Sequence, residues 1–116
     1  MEIRIIKKPI SKEELKELAK EGFGDVVKAV VDVEQEIMAV GGELHADEEI
    51  LLMDKENSKR ENTWGVNFYP DKSENDFIEF DSMINLKPAF GNRSRDVENS
   101  EIKIKIKKIV EKLITD

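Results

Sequence analysis

The sequence predicts an α+β fold: a single domain with a mainly antiparallel sheet of about five strands and two helices packed on one of its faces. Three observations lead there. A chain of 116 residues is long enough for one core and short for two. Stretches that alternate apolar and polar residues follow one another with short connections, as in an antiparallel meander. One stretch near each end carries helix signals instead. The order is strand, helix, four strands, helix.

Ile3 to Ile6 form the first short strand. Pro9-Ile10-Ser11-Lys12-Glu13-Glu14-Leu15 then opens a helix over Lys12–Glu21. Ser11 is the N-cap, Glu14 completes a capping box, Ile10 and Leu15 make the hydrophobic staple, and Gly22 is the closing glycine. The apolar stripe of this helix, Leu15, Leu18 and Ala19, is thin and suits a sheet cover. From Val26 to Val33 alternation returns, with Val27, Ala29, Val31 and Val33 on one face and Lys28, Asp32 and Glu34 on the other. A turn at Glu34-Gln35-Glu36, without Gly, Asn or Pro, leads into Ile37–Val40, and a helix through this region is the competing reading.

Gly41-Gly42 marks an interruption or a close backbone approach. Beyond it, a strand phase places Leu44, Ala46, Glu48, Ile50 and Leu52 inward, and Glu43, His45 and Asp47 outward. Asp54 to Asn62 has no apolar residue and reads as a loop. Trp64, Val66 and Phe68 alternate with Thr63, Gly65, Asn67 and Tyr69 until Pro70. A long strand, Phe77 to Lys87, has Ile78, Phe80, Ser82, Ile84 and Leu86 on one face and Glu79, Asp81, Asn85 and Lys87 on the other. After an irregular loop, Asn99 or Ser100 caps a closing helix whose face is Ile102, Ile106, Ile109, Val110 and Leu113. The expected core is Leu44, Ile50, Leu52, Trp64, Val66, Phe68, Ile78, Phe80, Ile84, Ile106 and Val110. Trp64 and Phe68 belong to it and do not form a stacking platform.

Composition narrows the chemistry. There is no cysteine, so disulfides, thiolate metal sites and a cysteine nucleophile are excluded. No apolar run approaches a membrane span, and the expectation is a cytoplasmic protein. The net charge is −7, and residues 43–98 carry all of it, with 14 acidic against 7 basic side chains. Nucleic acid is therefore a disfavoured partner. Charged residues at 39% with abundant isoleucine suit a thermophile, although the seven asparagines weigh against it.

The lone histidine, His45, stands between carboxylates. On a strand Glu43, His45 and Asp47 project together and would ligate a cation such as Mn²⁺ or Mg²⁺, but one imidazole is a short ligand set. A polar strand edge is the plainer reading. No cofactor is implied. His45 with Asp47 is the candidate catalytic pair for hydrolysis. Ser82 and Ser94 sit in no nucleophile elbow. Those carboxylates should also raise the imidazole pKa. In Gly91-Asn92-Arg93-Ser94-Arg95, Arg93 and Arg95 are half of the four arginines, in a loop leading to a helix, where guanidinium groups receive phosphate or carboxylate. Their plainer use is pairing with the acidic sheet face.

The series Gly41-Gly42-Glu43-Leu44-His45-Ala46-Asp47, Trp64-Gly65-Val66-Asn67-Phe68-Tyr69-Pro70 and Phe80 to Pro88 with Gly91 to Arg95 resembles the motif series of a family of small prokaryotic proteins grouped as a domain of unknown function. The likeness spans about Lys28 to Leu113. It implies a small intracellular prokaryotic protein and carries over no catalytic role. The favoured function is binding of a small polar or anionic ligand by Glu43, His45, Asp47, Asn67, Asp81, Asn85, Asn92, Arg93 and Arg95. The alternatives are a hydrolytic or metal-dependent enzyme using His45 and Asp47, and a non-catalytic interaction module working as a homodimer or with a protein partner.

Overall fold

The computed structural model describes residues 2–116. The elements in chain order are β1 (Arg4–Ile6), β2 (Ile10–Ser11), α1 (Lys12–Glu21), β3 (Val27–Asp32), β4 (Ile37–Val40), α2 (His45–Glu56), β5 (Thr63–Phe68), β6 (Ile78–Glu79), α3 (Ser100–Leu113) and β7 (Ile114–Thr115), with short 3-10 turns between some of them. Five strands make one antiparallel sheet in the order β1-β4-β3-β5-β6, and β2 pairs with β7 in a small parallel ribbon. The fold is α+β, as the alternation predicts.

The helices at either end form where their signals lie. The Ser11 hydroxyl accepts the N–H of Glu14 at 3.1 Å, and the Asn99 side chain accepts those of Glu101 and Ile102 at 2.9 and 3.1 Å. Both helices pack on one face of the sheet. There Leu15, Ala19, Ile106, Ile109 and Val110 meet Val27, Ala29, Val31, Met38, Val40, Trp64, Val66 and Phe68 in one apolar cluster. The unadorned turn between β3 and β4 is held from outside itself. Asp32, almost wholly buried, accepts from the backbone of Glu34 and Gln35, from the Gln35 amide, and from Ser58 Oγ at 2.6 Å. A carboxylate with four donors substitutes for turn chemistry absent from the turn residues.

The other face of the sheet differs from expectation. Residues 45–56 form a helix, not a strand, and it covers that face through Leu52 against Val30, Ile37 and Ala39. The inward positions of α2 are His45, Glu48, Glu49 and Leu52, which lie three, four and seven residues on from the first. That is helical periodicity, but it is written mostly in polar residues, so a search for apolar periodicity misses it. Leu44 and Ile50, expected in the core, are each 55% exposed.

The expected long strand over 77–87 also shortens to β6. Beyond it come 3-10 turns at Met83–Asn85 and Pro88–Phe90, the first capped by Ser82 Oγ accepting from Ile84 N–H. Ser82, Asn85 and Lys87 are buried. They bond to backbone groups instead of extending the sheet. Ile84 is buried as expected, while Ile78 and Phe80 are half-buried. Asp54 to Asn62 is also not wholly loop, since it holds the end of α2 and a 3-10 turn at Arg60–Asn62.

Candidate functional site

A cleft of about 330 Å³ opens where the N-terminus of α2 meets β3, β5 and the segment that follows β6. Its polar wall is Lys28, His45, Asn67, Tyr69, Asp81, Ser82 and Arg95, and its apolar rim includes Leu44 and Met83. Both rim residues are more than half exposed. The volume suits a small metabolite-sized molecule.

His45 is the first residue of α2 and is 9% exposed. Its Nε2 lies 2.9 Å from the carbonyl of Val66. A carbonyl only accepts, so Nε2 carries the hydrogen and the neutral ring keeps its lone pair on Nδ1. Burial first, and then the Lys28 ammonium, push the imidazole pKa below its ordinary value, against the pull of the Val66 hydrogen bond, of the Asn67 side chain and of Asp81. The ring is therefore neutral near pH 7. The raised pKa expected from Glu43 and Asp47 does not occur, because neither faces the ring. Asp47, two residues along α2, points in a different direction, Glu43 lies ahead of the helix, and both carboxylates are exposed. Among the described residues, no group of three His, Asp or Glu side chains is arranged to hold a metal ion.

Asn67 stands opposite Lys28 in the β3–β5 register. Its Nδ2 donates to Glu79 Oε1 at 2.9 Å and to the Asp81 carbonyl at 3.2 Å. The Tyr69 hydroxyl donates to the same Glu79 oxygen at 3.0 Å. Arg95 Nε meets Asp81 Oδ1 at 2.6 Å. Lys28 is half-buried, and its ammonium rests over the Phe23 ring at 5.4 Å. Among the described residues no carboxylate is within ion-pair distance of it. Beside it α2 begins with Leu44 as N-cap, which supplies no capping side chain. The N–H groups of Asp47 and Glu48 return to the Leu44 carbonyl, leaving those of His45 and Ala46 without an acceptor among the described residues.

Of the residues singled out from sequence, His45, Asn67, Asp81 and Arg95 meet at the cleft. The others do not. Glu43 and Asp47 are exposed outside it. Asn85 is buried, with its Oδ1 accepting the Gly65 N–H at 2.8 Å and its Nδ2 donating to the carbonyls of Gly65 and Arg95. It thus pairs with Gly65 as a neighbouring strand would. Asn92 is also buried and bonds the backbone of Asn85, Ser94, Asp96 and Glu98, which shapes the loop. Arg93 is exposed, with its N–H donating to Glu98. Lys28 is the residue that sequence reasoning missed. Its phase on β3, shared with Asp32, was the available signal.

Two glycines reflect close packing around this cleft. A Cβ on Gly65 would lie 2.5 Å from Ser82 and 3.2 Å from the His45 ring. One on Gly42 would lie 3.0 Å from Glu48 Cγ. Glu48, one turn along α2 from His45, is fully buried. Its Oε2 accepts the Gly42 N–H at 2.9 Å, while Oε1 has no partner. Burial raises its pKa well above the usual carboxylate value, which favours the protonated form. A larger groove, about 680 Å³, lies between α3, β7 and residues 74–78. Its charged residues, Lys12, Lys107, Glu74, Glu111 and Asp116, are of mixed sign, and among the described residues no buried unpartnered polar side chain lines it. Size favours that groove, and chemistry favours the smaller cleft.

The fold and cleft define a small α+β protein with a polar recess set into the face of its sheet that α2 covers. The chain belongs to the family described as Protein of unknown function (DUF5674), whose model matches residues 4–113. The match takes in β1 and α1, ahead of the stretch in which the motif resemblance lies. No curated protein and no solved structure matches the chain.

Proposed function

We propose that the protein binds a small organic anion in the cleft formed by Lys28, His45, Asn67, Asp81 and Arg95. The observation that carries this reading is the pairing of an ammonium with no carboxylate in ion-pair distance among the described residues and a helix N-terminus whose cap residue, Leu44, supplies no side-chain bond. A helix start presents free N–H groups and the positive end of its dipole, and Lys28 adds a full charge beside it. Arg95, held by Asp81, supplies a planar donor at the mouth, while Leu44 and Met83 offer apolar contact to the rest of the molecule. Thermal shift and calorimetry with sulfate, phosphate and small carboxylates test this. An anion at about 100 times its Kd stabilises the fold by roughly 2.7 kcal/mol. Lys28→Ala should remove that effect while leaving the unliganded fold intact, and retention of full binding by Lys28→Ala would refute the reading.

Asp47 is exposed outside the cleft and Ser82 Oγ is engaged with Ile84 N–H, so the hydrolase alternative gains no support from those residues. The interaction-module reading has one observation in its favour. The outward side of α2 carries exposed Ile50 and Met53 among Glu43, Asp47 and Asp54, a surface that fits a basic partner with an apolar centre. Salt-sensitive binding of a basic amphipathic peptide, lost in Ile50→Glu, is its test.

A further inference from the structure

We infer that anion binding in this cleft is coupled to protonation of His45, so that the ligand enters together with a proton. The inference rests on the anion-binding reading above and adds a regulation to that site.

It starts from a shortage of donors. Nε2 must donate to Val66, because a carbonyl offers nothing back. The orientation of the Asn67 amide is settled in the same way, since Glu79 Oε1 and the Asp81 carbonyl are both acceptors and therefore face Nδ2. That turns Oδ1 to the other side, where it is buried and has no partner, on a residue itself 9% exposed. The Asn67 side chain lies beside the His45 ring in the same cleft, and no hydrogen bond joins the two as they stand. With a neutral ring, the Nδ1 lone pair and Asn67 Oδ1 are two acceptors with no hydrogen between them. Moving the hydrogen to Nδ1 transfers the same conflict to Val66. The imidazolium alone gives each acceptor a donor, and a buried unsatisfied acceptor is costly.

What opposes the imidazolium in the free protein is burial together with the nearby Lys28 ammonium on β3. The other titratable and charged groups around the ring are Asp81 and Arg95, paired with each other, Glu79 on β6 acting through Asn67, and Glu48 on the same helix, a carboxyl whose own pKa burial raises. An anion seated against Lys28 and the start of α2 offsets the ammonium that acts on the ring. It also brings negative charge next to Nδ1–H. Proton uptake and ligand uptake then favour each other, and by linkage the coupling is reciprocal. In this scheme Asn67 is a positioning residue that receives the proton's hydrogen bond without touching the ligand.

Sulfate is the probe, because it does not itself titrate between about pH 5 and pH 8. NMR follows the single imidazole with and without saturating sulfate, while calorimetry gives Kd across the same range. The expected result is an upward move of the His45 midpoint by about one unit and, correspondingly, about tenfold tighter binding at the acid end than at the alkaline end. His45→Gln should bind sulfate with no pH dependence over that range. Asn67→Leu should bind it with a weakened pH dependence. If Lys28 and Arg95 respond to sulfate but the His45 midpoint stays in place, the coupling is overturned and the anion site stands. If none of the three responds, both fail.

Discussion

At the scale of single residues, His45 and Glu48 are two titratable groups one helical turn apart, shifted in opposite senses by the same burial. The folded state holds His45 with a pKa below 6.5, so its contribution to stability is present above that value and is lost as pH falls through the depressed one. Glu48 behaves in reverse. Its folded pKa is raised above 4.5, so its contribution is present below that value and declines as pH rises towards the raised one. Between about pH 4.5 and 6.5 the two oppose each other. Two outcomes follow. The single histidine should titrate by NMR below 6.5 in the free protein, and a midpoint above that would mean the ring is not desolvated. Glu48→Gln, which keeps an acceptor for Gly42, should raise the melting temperature at pH 8 more than at pH 5, and an equal change at both would show that Glu48 is ionised in the fold.

At the scale of elements, α2 decides how the sheet is used. Its start, Gly41 to Asp47, alternates plausibly as a strand, and Leu44, Ala46, Ile50 and Leu52 share that phase. The helix forms instead because His45, Glu48 and Glu49 each find a partner inside: the Val66 carbonyl, the Gly42 N–H, and Arg60 with Thr63. With those polar groups turned inward, Leu52 supplies the apolar anchor. The two phases make different predictions for a pair of substitutions. Leu52→Ala should cost about 2–5 kcal/mol as a buried large-to-small change. Ile50→Ala, on the solvent side, should stay within about 0.5 kcal/mol. Equal costs in chemical denaturation would restore the strand phase. Gly65→Ala belongs at this scale too. Its Cβ would lie 2.5 Å from Ser82, so either the segment over 81–85 moves away from β5 or stability falls, and loss of the Asn85–Gly65 hydrogen-bond pair would appear as faster amide exchange at Gly65.

At the scale of the whole molecule, one buried polar network links pieces distant in sequence. Lys87 donates to the carbonyls of Arg60 and Thr63, lies 3.9 Å from Glu49, and sits over the Trp64 ring at 4.8 Å. Glu49 also takes two bonds from Arg60 and one from Thr63 at 2.6 Å. Burial lowers the Lys87 pKa to about 8, so the ammonium is still mostly charged at neutral pH. Lys87→Met would take a counter-charge from Glu49 and leave two carbonyls short of a donor. Breaking one side of such a buried pair costs about 3–5 kcal/mol, and a loss below about 1 kcal/mol in urea unfolding would show that the network is dispensable. Among the described residues no helix is long and apolar enough to cross a membrane.

Legibility in the sequence followed the range of the interactions. The terminal helices were legible because Ser11 and Asn99 cap within three residues, and strands β3 and β5 because alternating valines and aromatics report a sheet with one deeply apolar face. The gathering of His45, Asn67, Asp81 and Arg95 was partly legible as a shared polar phase. Its correct geometry was not, since His45 arrives on a helix and Asp81 and Arg95 on irregular backbone. Asn85, Lys87 and Asn92 looked like site residues or sheet surface. The tertiary structure makes them substitutes for missing strand partners, bonded to backbone groups up to 27 residues away. A polar residue carries no local mark of whether water or a distant carbonyl will satisfy it. Sequence therefore determines the fold class and the elements that rest on local capping and apolar period. Which polar residues line a cleft and which are sealed inside is decided only when the chain closes on itself and each donor meets its acceptor.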